Sequence, residues 1–193
     1  MTRLTWSALV ALFCLLVVAS AQVPGVGRCP NLAVSDNFSL RKYMGKWYEI
    51  ERYFAYFEFG KKCVTTNLTQ QSDGSVLVTI QSTSKWTKSV KTRIGVAHPD
   101  VREPAKFVLQ FKGPIFTKSS NYWVLDTDYT NYSVVWSCSN YLGIFHTQFA
   151  WILSRKRVLD EDTRIKIYSK LDKMGLSHSK FFLTDQANCS DNH

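Results

Sequence analysis

A chain of 193 residues, 45% hydrophobic and 20% charged, has the length of one domain and enough apolar content for a full core, which excludes a disordered tail and a membrane bundle. Its net charge of +9 could serve nucleic acid, an anionic membrane or an acidic small ligand. The lysines are scattered (Lys61, Lys85, Lys91, Lys106, Lys118) and no zinc-finger, helix-turn-helix or RNA-binding signature joins them, so nucleic acid is not expected.

Residues 1–21 read as a signal peptide. Arg3 supplies the positive end, Ala8 to Val18 an apolar run too short to span a bilayer, and Ala19-Ser20-Ala21 a small-x-small cleavage site. The mature domain is then 22–193, and the chain is expected to be secreted and extracellular. Without Arg3 the 24 basic residues become 23 against 15 acidic ones, a net charge of +8. Cys14 leaves with the signal. Cys29, Cys63, Cys138 and Cys189 remain, an even set that reads as two disulfides with three possible pairings.

From Gln22 to Lys42 the prolines and glycines give an extended arm. Gly45-Lys46-Trp47-Tyr48 then opens a run of eight strands: Gly45–Phe54, Lys62–Thr69, Val76–Thr83, Val90–Ala97, Ala105–Lys112, Tyr122–Asp126, Tyr132–Cys138 and Gln148–Ser154. Turns at Ser72-Asp73-Gly74 and from Asp128 to Asn131 separate them most clearly. Strand parity puts Val76, Val78 and Ile80 on one face, and Phe107, Leu109 and Phe111 on another. Phe149, Trp151 and Leu153 align likewise, although Ala150 and Ile152 between them are apolar too. A helix follows, with Asp160, Glu161 and Asp162 at its start, Ile165, Tyr168, Leu171 and Met174 as its apolar face, and Gly175 as its stop. Lys180 to Leu183 is a last strand-like stretch. Eight antiparallel strands and one late helix predict an all-β fold: a closed up-and-down barrel, with Trp47 in its core and the α-helix packed outside. Such a barrel holds one small ligand.

Enzyme readings are poor. There is no Gly-x-Ser-x-Gly, no His-Glu-x-x-His and no phosphate-binding glycine loop. His98, His146, His178 and His193 are spread mostly over loops and tail, which suits solvated histidines better than metal ligands. No cofactor and no metal are expected.

Three separated motifs resemble the lipocalin family: Lys42-Tyr43-Met44-Gly45-Lys46-Trp47-Tyr48-Glu49-Ile50-Glu51, then Thr127-Asp128-Tyr129, then Phe149-Ala150-Trp151-Ile152-Leu153-Ser154-Arg155. Thr184-Asp185-Gln186, with Cys189 three residues later, is similar to the family's tail. The resemblance covers nearly all of the mature chain. It implies that Arg155 stacks on Trp47, a cation–π contact worth ~0.5–2 kcal/mol. It also implies the pairings Cys29–Cys138 and Cys63–Cys189. Asn140 stands where some members have a further cysteine, so no spare thiol is left for a disulfide-linked partner. A few lipocalins are isomerases with a cavity thiol; with every cysteine committed, that route has no nucleophile here.

The implied function is a monomeric carrier for a fatty acid, sterol, retinoid or bilin. Ile80, Phe107, Leu109, Phe111, Phe149, Trp151 and Leu153 form its apolar ligand-binding set. Of the sequons at Asn37, Asn67, Asn131 and Asn188, Asn67 is the best candidate for sugar, and Asn188 the worst because Cys189 bridges. Phe54, Tyr56, Phe57 and Phe59 crowd the first loop. They either pack within it or touch lipid surfaces, the latter being the alternative reading of an interaction protein at membranes or lipid particles.

Overall fold

Alternating apolar and polar residues carry eight strands around a closed antiparallel barrel: β2 Gly45–Tyr53, β3 Lys61–Gln70, β4 Val76–Ser84, β5 Val90–Pro99, β6 Lys106–Lys112, β7 Thr117–Thr127, β8 Tyr132–Tyr141 and β9 Phe145–Ser154. Each pairs with its sequence neighbour, and β9 returns to pair with β2, so the wall has no free edge. The computed structural model describes residues 23–113 and 117–190. The expected signal peptide and His193 lie outside them. Among the described residues no helix is long and apolar enough to cross a membrane.

The arm is more regular than its composition suggested. β1 (Val23–Val26) pairs antiparallel with the start of β9, and α1 (Leu40–Tyr43) is a single turn at the closed end. Gly25 is required where β1 crosses His146, because a Cβ there would lie 2.2 Å from the ring nitrogen. That histidine is buried on β9, with its Nδ1 3.1 Å from the Gly27 carbonyl oxygen, so it is not a solvated loop residue.

Two cores explain why some strands alternate and others do not. Inside the closed end, Trp47, Tyr43, Val76, Val78, Val124 and Val135 pack together. Outside the wall, Ile50, Trp136, Ala150 and Ile152 meet Ile167 and Leu171 of α2 (Glu161–Lys173). β9 is therefore apolar at both parities: one face looks into the barrel, the other lies under the helix. The helix start is capped by Asp160, which accepts from the Thr163 N–H at 2.8 Å. Its inner face differs from the expected one. Ile167 and Leu171 are buried, with Tyr168 and Met174 beside them, while Ile165 points to solvent. Glu51, buried in the outer core, is held from the helix by Arg164 Nε at 2.9 Å and the Tyr168 hydroxyl at 2.6 Å.

The tail closes the structure. β10 (Phe181–Leu183) pairs with the end of β2, and the Cys63 N–H donates to the Asp185 carbonyl. Disulfides join Cys29 to Cys138 and Cys63 to Cys189. Asn140 is used locally, accepting from the Cys29 N–H at 2.6 Å.

Candidate functional site

The barrel has one plugged end and one open end, and each is built by different residues. At the plugged end Trp47 is fully buried and donates from Nε1 to the Tyr43 carbonyl at 2.9 Å. Gly45, at φ +93°, makes the turn into β2 against the Arg155 guanidinium. The Thr127-Asp128-Tyr129 corner is a hydrogen-bonded turn. Asp128 Oδ1 accepts from the N–H groups of Thr130, Asn131 and Tyr132, and Thr127 Oγ1 bonds both the Tyr129 N–H and the Tyr132 carbonyl. These bonds hold the Asp128 carboxyl below the usual range although its burial opposes them. Beneath the cavity, the Tyr43 hydroxyl bonds those of Tyr122 and Ser133, and burial pushes Tyr43 up to about 12.

Above this floor lies a cavity of ≈ 380 Å³. Ile80, Leu109, Phe111, Phe149, Trp151 and Leu153 border it. Phe107, assigned to the same set by parity, lies deeper, packed edge-on against Phe38 and Tyr122 in the floor. The same inward face of β6 serves both cavity and floor, so parity alone does not separate a cavity residue from a floor residue. Phe57 comes in from the first loop and packs on Phe149 at 5.4 Å, and Phe149 stacks on Trp151 at 5.9 Å.

The polar part of the cavity was not anticipated. Its wall includes Glu49 on β2, Glu58 at the end of the turn Tyr56–Glu58, Lys61 on β3, and Ser120, Asn121 and Ser137 on β7 and β8. Arg52 serves both carboxyl groups, with Nη1 2.7 Å from Glu49 Oε1 and Nε 3.1 Å from Glu58 Oε2. Thr184 of the tail also donates to Glu49, and Trp151 Nε1 reaches Glu58 Oε2 at 3.4 Å. Burial raises both carboxyls, Glu58 to about 8, with the neighbouring Glu49 charge adding to the effect and Arg52 opposing it. Burial lowers Lys61. Along β7 the stretch Thr117 to Asn121 is polar at both parities, so the inward residues there left no alternation to find.

The described residues hold no group of three or more His, Cys, Asp or Glu side chains able to bind a metal ion. A lipocalin-like domain model matches residues 38–186. The chain is a lipocalin. It is 38% identical over 177 residues to apolipoprotein D of Cavia porcellus, covering 92% of each protein. It is 32% identical over 185 residues to the Lazarillo protein of Schistocerca americana, covering 94% of this chain and 84% of that relative. The solved structure of insecticyanin from Manduca sexta superposes with a TM-score of 0.77 at 25% identity, covering 89% of this chain and 91% of that one. Lipocalins such as apolipoprotein D are ligand-binding carriers rather than enzymes, and this lipocalin shares the family's barrel.

Proposed function

We propose that this lipocalin is a secreted, monomeric carrier that binds one small hydrophobic molecule inside the barrel and transports it. The observation that carries the reading is the walled cavity of ≈ 380 Å³, a size within the roughly 300–1,000 Å³ range of small-ligand pockets. Its aromatic and aliphatic side suits the chain or rings of a fatty acid, sterol, retinoid or bilin. The similarity to proteins named apolipoprotein supports a lipid. The two disulfides suit an oxidising, extracellular setting. Titrating the purified chain with retinol should quench its tryptophan fluorescence saturably, because Trp151 borders the cavity. Unchanged emission up to the solubility limit would refute the carrier reading.

A second reading has its own observation. Loops at the open end expose Tyr56, Phe59, Trp86, Leu142 and Ile144, and Phe59 packs on Trp86 at 5.6 Å while both stay largely exposed. Such a rim suits contact with a lipid particle or membrane surface. Co-sedimentation with phosphatidylcholine vesicles, lost on Trp86→Ser with Phe59→Ser, would support it; no sedimentation of the parent protein would end it.

A further inference from the structure

Glu58 reaches the cavity wall from the turn after β2 with a carboxyl oxygen to spare. Its Oε2 is engaged by Arg52 and Trp151, whereas no hydrogen bond reaches Oε1 among the described residues. Glu49, its neighbour, also has an oxygen that no hydrogen bond reaches among the described residues, Oε2, but its Oε1 takes the shorter bond from Arg52 and a second from Thr184. A single guanidinium thus faces two carboxyl groups, its shorter bond goes to Glu49, and burial raises both carboxyls. Among the described residues the fully enclosed side-chain polar atom that lacks a partner is Thr147 Oγ1, so Glu58 Oε1 is not sealed away, and the open space this residue borders is the cavity.

We infer that Glu58 is the polar anchor of the cavity, donating a hydrogen bond from its protonated carboxyl to an acceptor oxygen, carbonyl or carboxylate, at one end of an apolar ligand. The apolar remainder then lies along Phe149, Trp151 and Leu153. The inference rests on the carrier reading and deepens it by naming what the ligand must present. Burial supplies the proton at neutral pH, because it lifts Glu58 to about 8. Above that value the anchor becomes a carboxylate facing an acceptor, and binding weakens. The other charged groups facing it are Glu49 and Arg52 on β2 and Lys61 on β3, with Lys91 and Arg93 of β5 acting on Lys61.

Two fluorescent probes test this on the intact chain. The methyl ester of cis-parinaric acid offers a neutral carbonyl that does not titrate; diphenylhexatriene offers no acceptor. The ester should bind about tenfold more weakly at a pH of about 9.5 than at about 6.5, the loss expected for one buried hydrogen bond replaced by repulsion, while the hydrocarbon binds alike at both. Glu58→Gln keeps a neutral donor and should hold the ester at its low-pH affinity throughout. Glu58→Leu should weaken the ester alone, and Lys61→Gln, which removes a positive charge that favours the carboxylate, should move the ester's profile to higher pH. Ester binding that is flat with pH while the hydrocarbon binds overturns the anchor. So does an equal loss of both probes at high pH, which marks a loosened barrel. If neither probe binds at any pH, the carrier reading itself falls, and the anchor with it.

Discussion

Arg155 lies face-on to Trp47, its guanidinium carbon 3.6 Å from the ring centroid, and its donors reach the carbonyl oxygens of Tyr129, Lys46, Lys42, Tyr43 and Met44. One side chain therefore ties the end of β9 to the turn entering β2 and to the corner after β7. Trp47→Ala should cost about 3–5 kcal/mol, as usual for a buried large aromatic. Arg155→Ala should cost less, about 1–3 kcal/mol, because the freed carbonyls are partly reached by water. Arg155→Lys should recover less than half of that, since an ammonium cannot bridge five carbonyls. Urea unfolding measures all three; an Arg155→Lys variant as stable as the parent would show that charge alone suffices.

Trp151 should behave differently from Trp47. It stacks on Phe149 and borders open space, so truncation leaves less of a packing defect than in a filled core. Trp151→Ala should lower the melting temperature by well under half as much as Trp47→Ala and weaken retinol binding by about tenfold or more, the loss of one large aromatic contact. Equal destabilisation with unchanged affinity per folded molecule would remove Trp151 from the binding set.

The buried Glu58 makes stability depend on pH. Its folded pKa is about 8, against 4.5 for the free side chain. The folded state holds that proton more tightly, so its stabilisation is complete below the unfolded value and drains away as pH rises through about 8. Glu58→Gln should therefore match the parent near pH 5 and melt roughly 2–6 °C higher at about pH 9.5. A difference of the same size at both ends would show that Glu58 does not titrate in this range.

The sequons differ in the freedom of their amide nitrogens. Asn67 is exposed on β3, whereas Asn131 Nδ2 donates to Asp128 Oδ2 at 2.7 Å inside the turn after β7. Glycopeptide mapping of the protein expressed in eukaryotic cells should find Asn67 occupied more fully than Asn131. Asn37 is exposed as well, but its place beside the closed end, at φ +50°, leaves it second. Dominant sugar at Asn131 would mean that the turn forms only after modification.

Non-reducing peptide mapping should recover Cys29 joined to Cys138 and Cys63 joined to Cys189. Replacing Cys63 and Cys189 together by serine should destabilise the protein by about 2–4 kcal/mol, since the bridge closes a long loop. It should also loosen the tail, exposing Thr184 and with it the support of Glu49. Tail amides whose hydrogen exchange matches the parent's would show that β10 holds without the bridge.

Much of the barrel was readable because its causes are local. Strand alternation in β4 and β6, the turn at Asp73 and the acidic cap of α2 each depend on residues adjacent in sequence, so all are visible in the chain. β9 was ambiguous, with Ala150 and Ile152 as apolar as Trp151, because the helix covering its outer face lies elsewhere in the sequence. The helix face was misplaced by two residues at Ile165 for the same reason: Glu51 and the barrel wall, not the helix's own pattern, decide which side turns inward.

By itself, then, the sequence determined the class of fold, the number of wall strands, the plugging tryptophan and the aromatic side of the cavity. All of these are expressed as periodicity or as ordered motifs. Only the tertiary structure decided that Phe107 belongs to the floor, that Tyr122 and Tyr43 share a hydrogen bond there, and that Glu49, Arg52, Glu58 and Trp151 meet on the cavity wall. Polar side chains follow no period. What Glu58 does is set by the burial, the single shared cation and the open space that strand closure and the first loop bring together.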